Sequence, residues 1–173
     1  GVKLSDLGAY AVATGPGAFT GLRVGLAAVK ALAEMQGKPV VPVSVLEAVC
    51  ESAQAEGLLV PLLDAYRGQV FAGVYQKHSK GVELRRAETV ERLSDWLAEL
   101  ERGGYGSEPF TFVGPHLERW KDGLAASSFA AAPQVRTSTL LAEAVARRAR
   151  WKWRRGQAVD ALHLRANYVR PSD

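Results

Sequence analysis

Residues 15–25 read GPGAFTGLRVG, and this glycine-rich stretch sets the frame for the chain on both sides of it. The apolar run at residues 8–14 that precedes it predicts a buried strand entering a tight turn. After the turn, residues 19–36 favour a helix because few of them are β-branched, and a glycine–lysine–proline sequence ends the pattern. We therefore expect a strand, a glycine turn and a long helix in succession.

Two interpretations of the glycine turn stay open. Free backbone N–H groups at a turn and a helix start can bind phosphate. However, the spacing does not match GxxxxGK[ST], and Thr20 stands where the dinucleotide-binding motif needs its third glycine. In the other interpretation, Gly21, Gly25 and Ala28 lie four and three residues apart on one helix face, where another backbone can approach closely. We favour helix packing over phosphate binding.

The rest of the chain predicts a mixed α/β fold. Ser44 is a candidate N-cap with Glu47 in the capping-box position three residues later. The predicted elements are a strand at 40–45, a helix at 45–55, strands at 58–65, 69–76 and 82–89, a helix at 91–102, a strand at 110–113 and a helix at 139–155. We expect two similar units, residues 1–57 and 58–173, and only the second begins with a three-strand meander.

Composition excludes several classes of protein. Hydrophobic residues make up 47% of the 173 residues and charged residues 23%, which excludes a disordered or collagen-like chain. Cys50 is the only cysteine, so no intrachain disulfide forms. No apolar run is long enough to span a membrane, and the first residues do not resemble a signal peptide. We expect a cytoplasmic protein with no membrane contact.

Positive charge is concentrated near the C-terminus. Residues 1–135 carry a net charge of −2 and residues 136–173 a net charge of +6. Trp151 and Trp153 alternate with cations there, and indole and guanidinium planes both stack on RNA bases. A solvated helix end, favoured by the helix dipole, is the alternative. The candidate tRNA contacts are Arg147, Arg148, Arg150, Lys152, Arg154 and Arg155.

Asp64 ends an apolar strand immediately before a polar turn that contains Arg67. A carboxylate there could hold Mg²⁺ beside a bound nucleotide, with Gly15, Gly17 and Arg67 as the other candidates for a nucleotide or turn role. It could equally cap the turn through its side chain. The three histidines are too widely spaced for a metal-binding motif, so we predict no metal site.

Four blocks of the sequence closely resemble the TsaB family, which helps to make threonylcarbamoyladenosine in bacterial tRNA. They are residues 15–27, 43–48, 63–71 and 167–171, and they occur in the family's order over nearly the whole chain. The resemblance implies an actin/hexokinase-like (ribonuclease H-like) fold of two α/β lobes. Family members normally open with a three-strand meander and a helix that this chain lacks, so we expect the first lobe to be incomplete.

The resemblance also implies a function. A TsaB-like protein has no catalytic residues and is the scaffold and dimerisation subunit that binds and activates a TsaD-like catalytic subunit. A TsaE-like ATPase joins the assembly, tRNA is bound through it, ATP and Mg²⁺ are expected only there, and a homodimer is a further expected state. The partner-binding residues implied are Phe19, Thr20, Gly21, Arg23, Val24, Gly25, Ala27 and Ala28. The alternatives are an actin-like nucleotide-binding enzyme and a direct tRNA-binding module.

Overall fold

The computed structural model describes residues 1, 3–105 and 108–169. Its elements, in chain order, are β1 (Tyr10–Ala13), α1 (Phe19–Gln36), β2 (Val40–Val43), α2 (Val45–Ser52), β3 (Gly57–Asp64), β4 (Gln69–His78), β5 (Gly81–Arg92), α3 (Leu93–Arg102), β6 (Phe110–Gly114), α4 (Lys121–Ala125), β7 (Gln134–Arg136) and α5 (Ala142–Trp153). Single turns of 3₁₀ helix occur at Leu4–Asp6 and Leu117–Trp120. The mixed α/β prediction is confirmed, and α1 has the predicted bounds.

Several boundaries differ from the sequence prediction, among them the starts of α3 and α5 and the ends of β5 and α2. β5 continues to Arg92, opposite Gln69 of β4, because ladder pairing extends the strand beyond residue 89. α2 ends at Ser52, since Ala53 takes an extended conformation. The sequence pattern did not resolve α4 and β7, whose five and three residues are too short for a periodic signal.

The strands form two sheets. β1 and β2 pair in parallel, as a strand–helix–strand crossover through α1 requires. The second sheet has five strands in the order β5-β4-β3-β6-β7. Its β3–β4 and β4–β5 pairs are antiparallel, whereas β3–β6 and β6–β7 are parallel.

Helices α2 and α5 lie between the two sheets. Val49 and Cys50 of α2 pack against the five-stranded sheet, whereas Ala48 packs with α5 against β2. α1 covers the outer side of the β1–β2 pair, and α3 covers the outer side of the five-stranded sheet. No helix within the described residues is long and apolar enough to cross a membrane.

The end of the chain returns to the first sheet. Val159 forms two backbone hydrogen bonds of 2.8 Å with Val40 of β2, and the Asn167 amide donates to the Thr14 carbonyl at 2.8 Å. Leu164 packs in the core beneath α1. In the sequence, β1 and β2 precede Gly57 and the strands of the second sheet follow it. The residues beyond α5 nevertheless pack against the first sheet.

A buried ion-pair network joins the middle helices. Ser44 caps α2 as predicted, since its hydroxyl accepts from the Leu46 amide at 3.1 Å and its own amide donates to the Glu47 carboxylate at 3.4 Å. The same carboxylate pairs with Arg148, whose side chain is 4% exposed, and with Lys152 Nζ at 3.1 Å. One carboxylate therefore caps α2 and forms ion pairs with two cations of α5.

Removing that carboxylate should destabilise the fold strongly. In Glu47→Ala the buried Arg148 charge loses its partner, and we expect the free energy of unfolding in urea to fall by about 3–5 kcal/mol. Glu143→Ala is the matched control, because it removes only the exposed i,i+4 pair with Arg147 and should cost less than about 1 kcal/mol. Equal losses in the two variants would contradict this assignment.

Candidate functional site

Helix α1 is apolar on two opposite faces. Leu22, Leu26 and Ala33 face the β1–β2 sheet and the returning end of the chain. The opposite side, which we call the outer face, is also apolar yet exposed; Val24 is 65% and Met35 78% exposed. The outer face consists of Gly21, Val24, Ala27, Ala28, Ala31, Leu32 and Met35. A helix that is apolar all round is normally covered on all sides.

The outer face has the spacing of a helix–helix contact. Val24, Ala28, Ala31 and Met35 follow one another at intervals of four, three and four residues, the 3.5-residue repeat of a coiled-coil seam. A Cβ added at Gly21 would meet no atom within 4 Å, and the same holds at Gly25 beside the face. The surface is therefore smooth and open to close approach by another backbone.

Most of the predicted partner-binding residues lie on this surface. Gly21, Val24, Ala27 and Ala28 are on the outer face, and Thr20, Arg23 and Gly25 are on or beside its edges. Phe19 departs from the set. Its ring contacts Tyr168 with centroids 5.8 Å apart and lies 4.2 Å from the guanidinium carbon of Arg23. Sequence reasoning missed Ala31, Leu32 and Met35, although continuing the 3.5-residue repeat beyond Ala28 would have found the first and last of them.

A cleft of about 550 Å³ brings the two predicted nucleotide segments together. Gly17 follows β1 and Asp64 ends β3, so both lie at carboxyl ends of strands, where α/β proteins commonly bind ligands. Phe19, Tyr66 and Tyr168 supply aromatic walls. Gly15 lies behind the cleft, where a Cβ would be 2.8 Å from the Asn167 carbonyl oxygen. Arg67 lines a different groove.

The contacts of Asp64 are those of a turn cap. Its carboxylate accepts from the Tyr66 amide at 2.8 Å and forms an ion pair with Arg119. Both carboxylate oxygens therefore have partners. No group of three or more His, Cys, Asp or Glu side chains that could hold a metal ion occurs within the described part of the chain.

The cations at the end of α5 differ in their exposure and in their ion pairs, which the sequence does not indicate. Arg148 is a buried partner of Glu47, so it is not available to tRNA, which corrects the prediction at this position, and the 20% exposed Lys152 pairs with the same carboxylate. Arg147 pairs with Glu51 at 3.2 Å and also with Glu143. Three of the predicted cations are left exposed without an acidic partner among the described residues: Arg150, Arg154 and Arg155.

The two tryptophans of α5 are already occupied. The guanidinium carbons of Arg148 and Arg155 lie 3.9 and 3.6 Å from the Trp151 ring centroid. The Trp153 ring packs on Gly8, where a Cβ would lie 2.5 Å from it. Base stacking on these rings is therefore disfavoured, and α5 offers guanidinium groups suited to phosphate.

Sequence reasoning missed a polar cluster around Glu88. The Glu88 carboxylate accepts hydrogen bonds from Ser44 Oγ, the Tyr75 hydroxyl and Asn167 Nδ2. Burial and the neighbouring carboxylate raise the pKa of Tyr75. These four residues are scattered over the sequence, so no motif marks them. Ser44 is already engaged in capping α2, and the cluster therefore ties α2, the large sheet and the end of the chain together.

Comparison with known proteins identifies the family. A family model described as TsaD, tRNA N6-adenosine threonylcarbamoyltransferase, matches residues 1–151. The Bacillus subtilis (strain 168) tRNA threonylcarbamoyladenosine biosynthesis protein TsaB is 36% identical over 110 residues, which is 63% of this chain and 47% of the relative. The Escherichia coli (strain K12) protein of the same name is 32% identical over 125 residues, 70% of this chain and 53% of the relative. The chain is a TsaB-type member of this family.

The fold of this TsaB-type chain agrees with that identification. A crystal structure from Pseudomonas aeruginosa, described as an uncharacterized protein with similarity to peptidase YEAZ, superimposes with a TM-score of 0.78 at 27% identity. The match covers 98% of this chain and 76% of that one. The predicted actin/hexokinase-like fold is thereby confirmed. The chain spans about half the length of the curated relatives it matches.

The pH dependence of stability tests whether Cys50 of α2 is buried between the two sheets. Burial raises the pKa of the Cys50 thiol well above its usual range, so the folded protein keeps a proton that the unfolded chain releases. The stability contributed by this group is present below the unfolded pKa of about 8.5 and falls above it, by up to about 1.4 kcal/mol per pH unit. Between about pH 8 and 10, the free energy of unfolding in urea should decline more steeply with pH for the parent protein than for Cys50→Ala. Parallel slopes would mean that the thiol titrates normally.

Proposed function

We propose that this chain is a non-catalytic scaffold subunit in the synthesis of N6-threonylcarbamoyladenosine at position 37 of tRNA. In this role it binds and activates a TsaD-like catalytic subunit through the outer face of α1. The observation that carries the proposal is the second apolar face of a helix whose first face already packs on its own sheet. Family membership supplies the reaction, and the helix supplies the means of association.

The outer face suits a helical partner for physical reasons. Covering a side chain such as Val24 or Met35 contributes about 1.5–3 kcal/mol, and the small residues between them let two backbones approach. The 3.5-residue repeat favours a left-handed crossing near 20°. A second copy of the chain could cover the same face, so we expect a homodimer to form when the catalytic partner is absent and to compete with it.

The contacts of the reactive side chains support a non-catalytic role. Cys50 is buried, and Ser44 and Asp64 both act as caps. His116 and His163 are exposed and each pairs with an acidic residue two or three positions away. ATP, Mg²⁺ and a TsaE-like ATPase belong to the assembled complex in this proposal, which also places the chain with tRNA in the cytoplasm.

Two substitutions on α1 test the proposed interface. Val24→Asp would place an unpaired carboxylate in it, and Gly25→Leu would put a bulky side chain where the backbones approach. Both positions are open in this chain, so folding should be unaffected. We expect each variant to bind a purified TsaD-like subunit at least tenfold more weakly in calorimetry, an effect of about 1.4 kcal/mol or more.

Ala146, which is exposed on α5, provides the matched controls. Ala146→Asp and Ala146→Leu make equivalent changes on a different helix and should leave the affinity for the TsaD-like subunit unchanged. The proposed interface is wrong if the α1 variants bind as tightly as these controls while circular dichroism shows all four to be folded.

A direct contact of α5 with tRNA is a second candidate, favoured by the exposure of Arg150, Arg154 and Arg155 without acidic partners. Replacing Arg150 and Arg154 by Ala should lower the salt dependence of tRNA binding by about 1–2 units of the log–log slope, because each lost phosphate contact removes about 0.7–0.9. Fluorescence anisotropy with labelled tRNA over a series of KCl concentrations measures that slope. An unchanged slope would reject α5 as an RNA contact.

A further inference from the structure

A groove of about 830 Å³ lies on the outer side of the five-stranded sheet. It is bounded by the β3–β4 turn, by α3 and by α4. Leu93 and Leu97 of α3 form its apolar floor. Gly123 of α4 lies so near that a Cβ there would be 2.7 Å from Leu93 Cδ2. The floor is therefore closely packed, and polar side chains stand around it.

Three arginines from separate parts of the chain line this groove. Arg67 comes from the β3–β4 turn, Arg92 from the junction of β5 and α3, and Arg119 from the 3₁₀ turn before α4. Arg119 pairs with Asp64, whereas Arg67 and Arg92 are exposed and have no acidic partner among the described residues. Glu101 is the one carboxylate in the lining, so positive charge is in excess.

The β3–β4 turn holds Arg67 in an unusual backbone conformation. φ is +62° at Tyr66 and +53° at Arg67, the left-handed region that residues other than glycine seldom adopt and that costs on the order of 1 kcal/mol for each. The Gln69 amide donates to the Tyr66 carbonyl at 3.0 Å, and Asp64 caps the same turn. Glycine would adopt this backbone without strain, so the presence of arginine points to a use for its side chain.

The geometry points to an RNA-binding groove in which Arg67, Arg92 and Arg119 contact the phosphate backbone. Guanidinium groups bind phosphate through two parallel hydrogen bonds, and the exposed hydroxyl of Ser128 adds a donor of the kind that contacts phosphates. The choice of RNA over an acidic peptide rests on the proposed function in tRNA modification. The groove lies on the opposite face of the large sheet from α2, so it is distinct from the cleft and from the outer face of α1.

The test is tRNA binding by the full chain carrying both Arg67→Gly and Arg92→Ala. Glycine suits the positive φ at residue 67, and both arginines are exposed, so the fold should be retained. By fluorescence anisotropy between about 50 and 200 mM KCl, we expect the log–log salt slope to fall by about 1–2 units. Near 0.1 M KCl the affinity should drop about tenfold, the loss expected for charged hydrogen bonds.

The matched control is the double variant Lys80→Ala with Arg85→Ala, which removes two exposed cations outside the groove. If this control lowers affinity and slope as much as the groove variant does, the effect is one of net charge and the groove assignment is overturned. An unchanged slope in the groove variant overturns it as well, whatever the Arg150 and Arg154 variant shows.

Two competitors identify what the groove takes. If inorganic pyrophosphate displaces tRNA at equal phosphate concentration, the groove is a small-anion site and the RNA assignment fails; if polyglutamate does so, the groove fits an acidic peptide. TsaD-like subunit binding is measured on the same variants. Groove variants should retain it, and Gly25→Leu should retain tRNA binding, so failure of the scaffold proposal and failure of this inference give different results.

Discussion

The fold depends on a single helix that is buried on every side. α2 has a sheet on each side of it and α5 alongside, and the five consecutive residues from Leu46 to Cys50 are all buried. A polar group in such a position must be fully paired. Glu47 meets that requirement by closing the capping box with Ser44 and by pairing with Arg148 and Lys152, so the start of α2 and the axis of α5 are fixed by one carboxylate.

That constraint explains the contrast between α2 and α1. α2 has apolar residues on both of its sides, and both sides are covered within the chain. α1 is also apolar on both sides, yet only one side is covered, and its outer face has the repeat and the small residues of a helix contact. The same physical rule that is satisfied internally at α2 therefore supports the proposed partner at α1. In this view, partner binding completes a packing arrangement that the chain itself leaves open.

Cations are distributed by the same logic. At the end of α5, some cations form ion pairs with Glu47 inside the protein, and Arg147 pairs with Glu51 and Glu143. The indole of Trp151 is covered by guanidinium groups. Meanwhile Arg67 and Arg92, which belong to no basic run in the sequence, line one groove together with Arg119. Within the described residues, the groove therefore holds two unpaired guanidinium groups that the distribution of charge along the sequence does not reveal.

The sequence by itself determined what neighbouring residues control. The bounds of α1, the capping box at Ser44 and Glu47, the order of the longer strands and helices, and the family blocks were all readable, because periodicity, caps and turns act over a few residues. Tertiary structure alone decided which charges are buried, that Asp64 binds Arg119, that Phe19 turns to Tyr168, and that three distant arginines share a groove. These outcomes depend on residues far apart in the sequence, such as Glu47 with Arg148 at a separation of 101, and local sequence carries no signal for them.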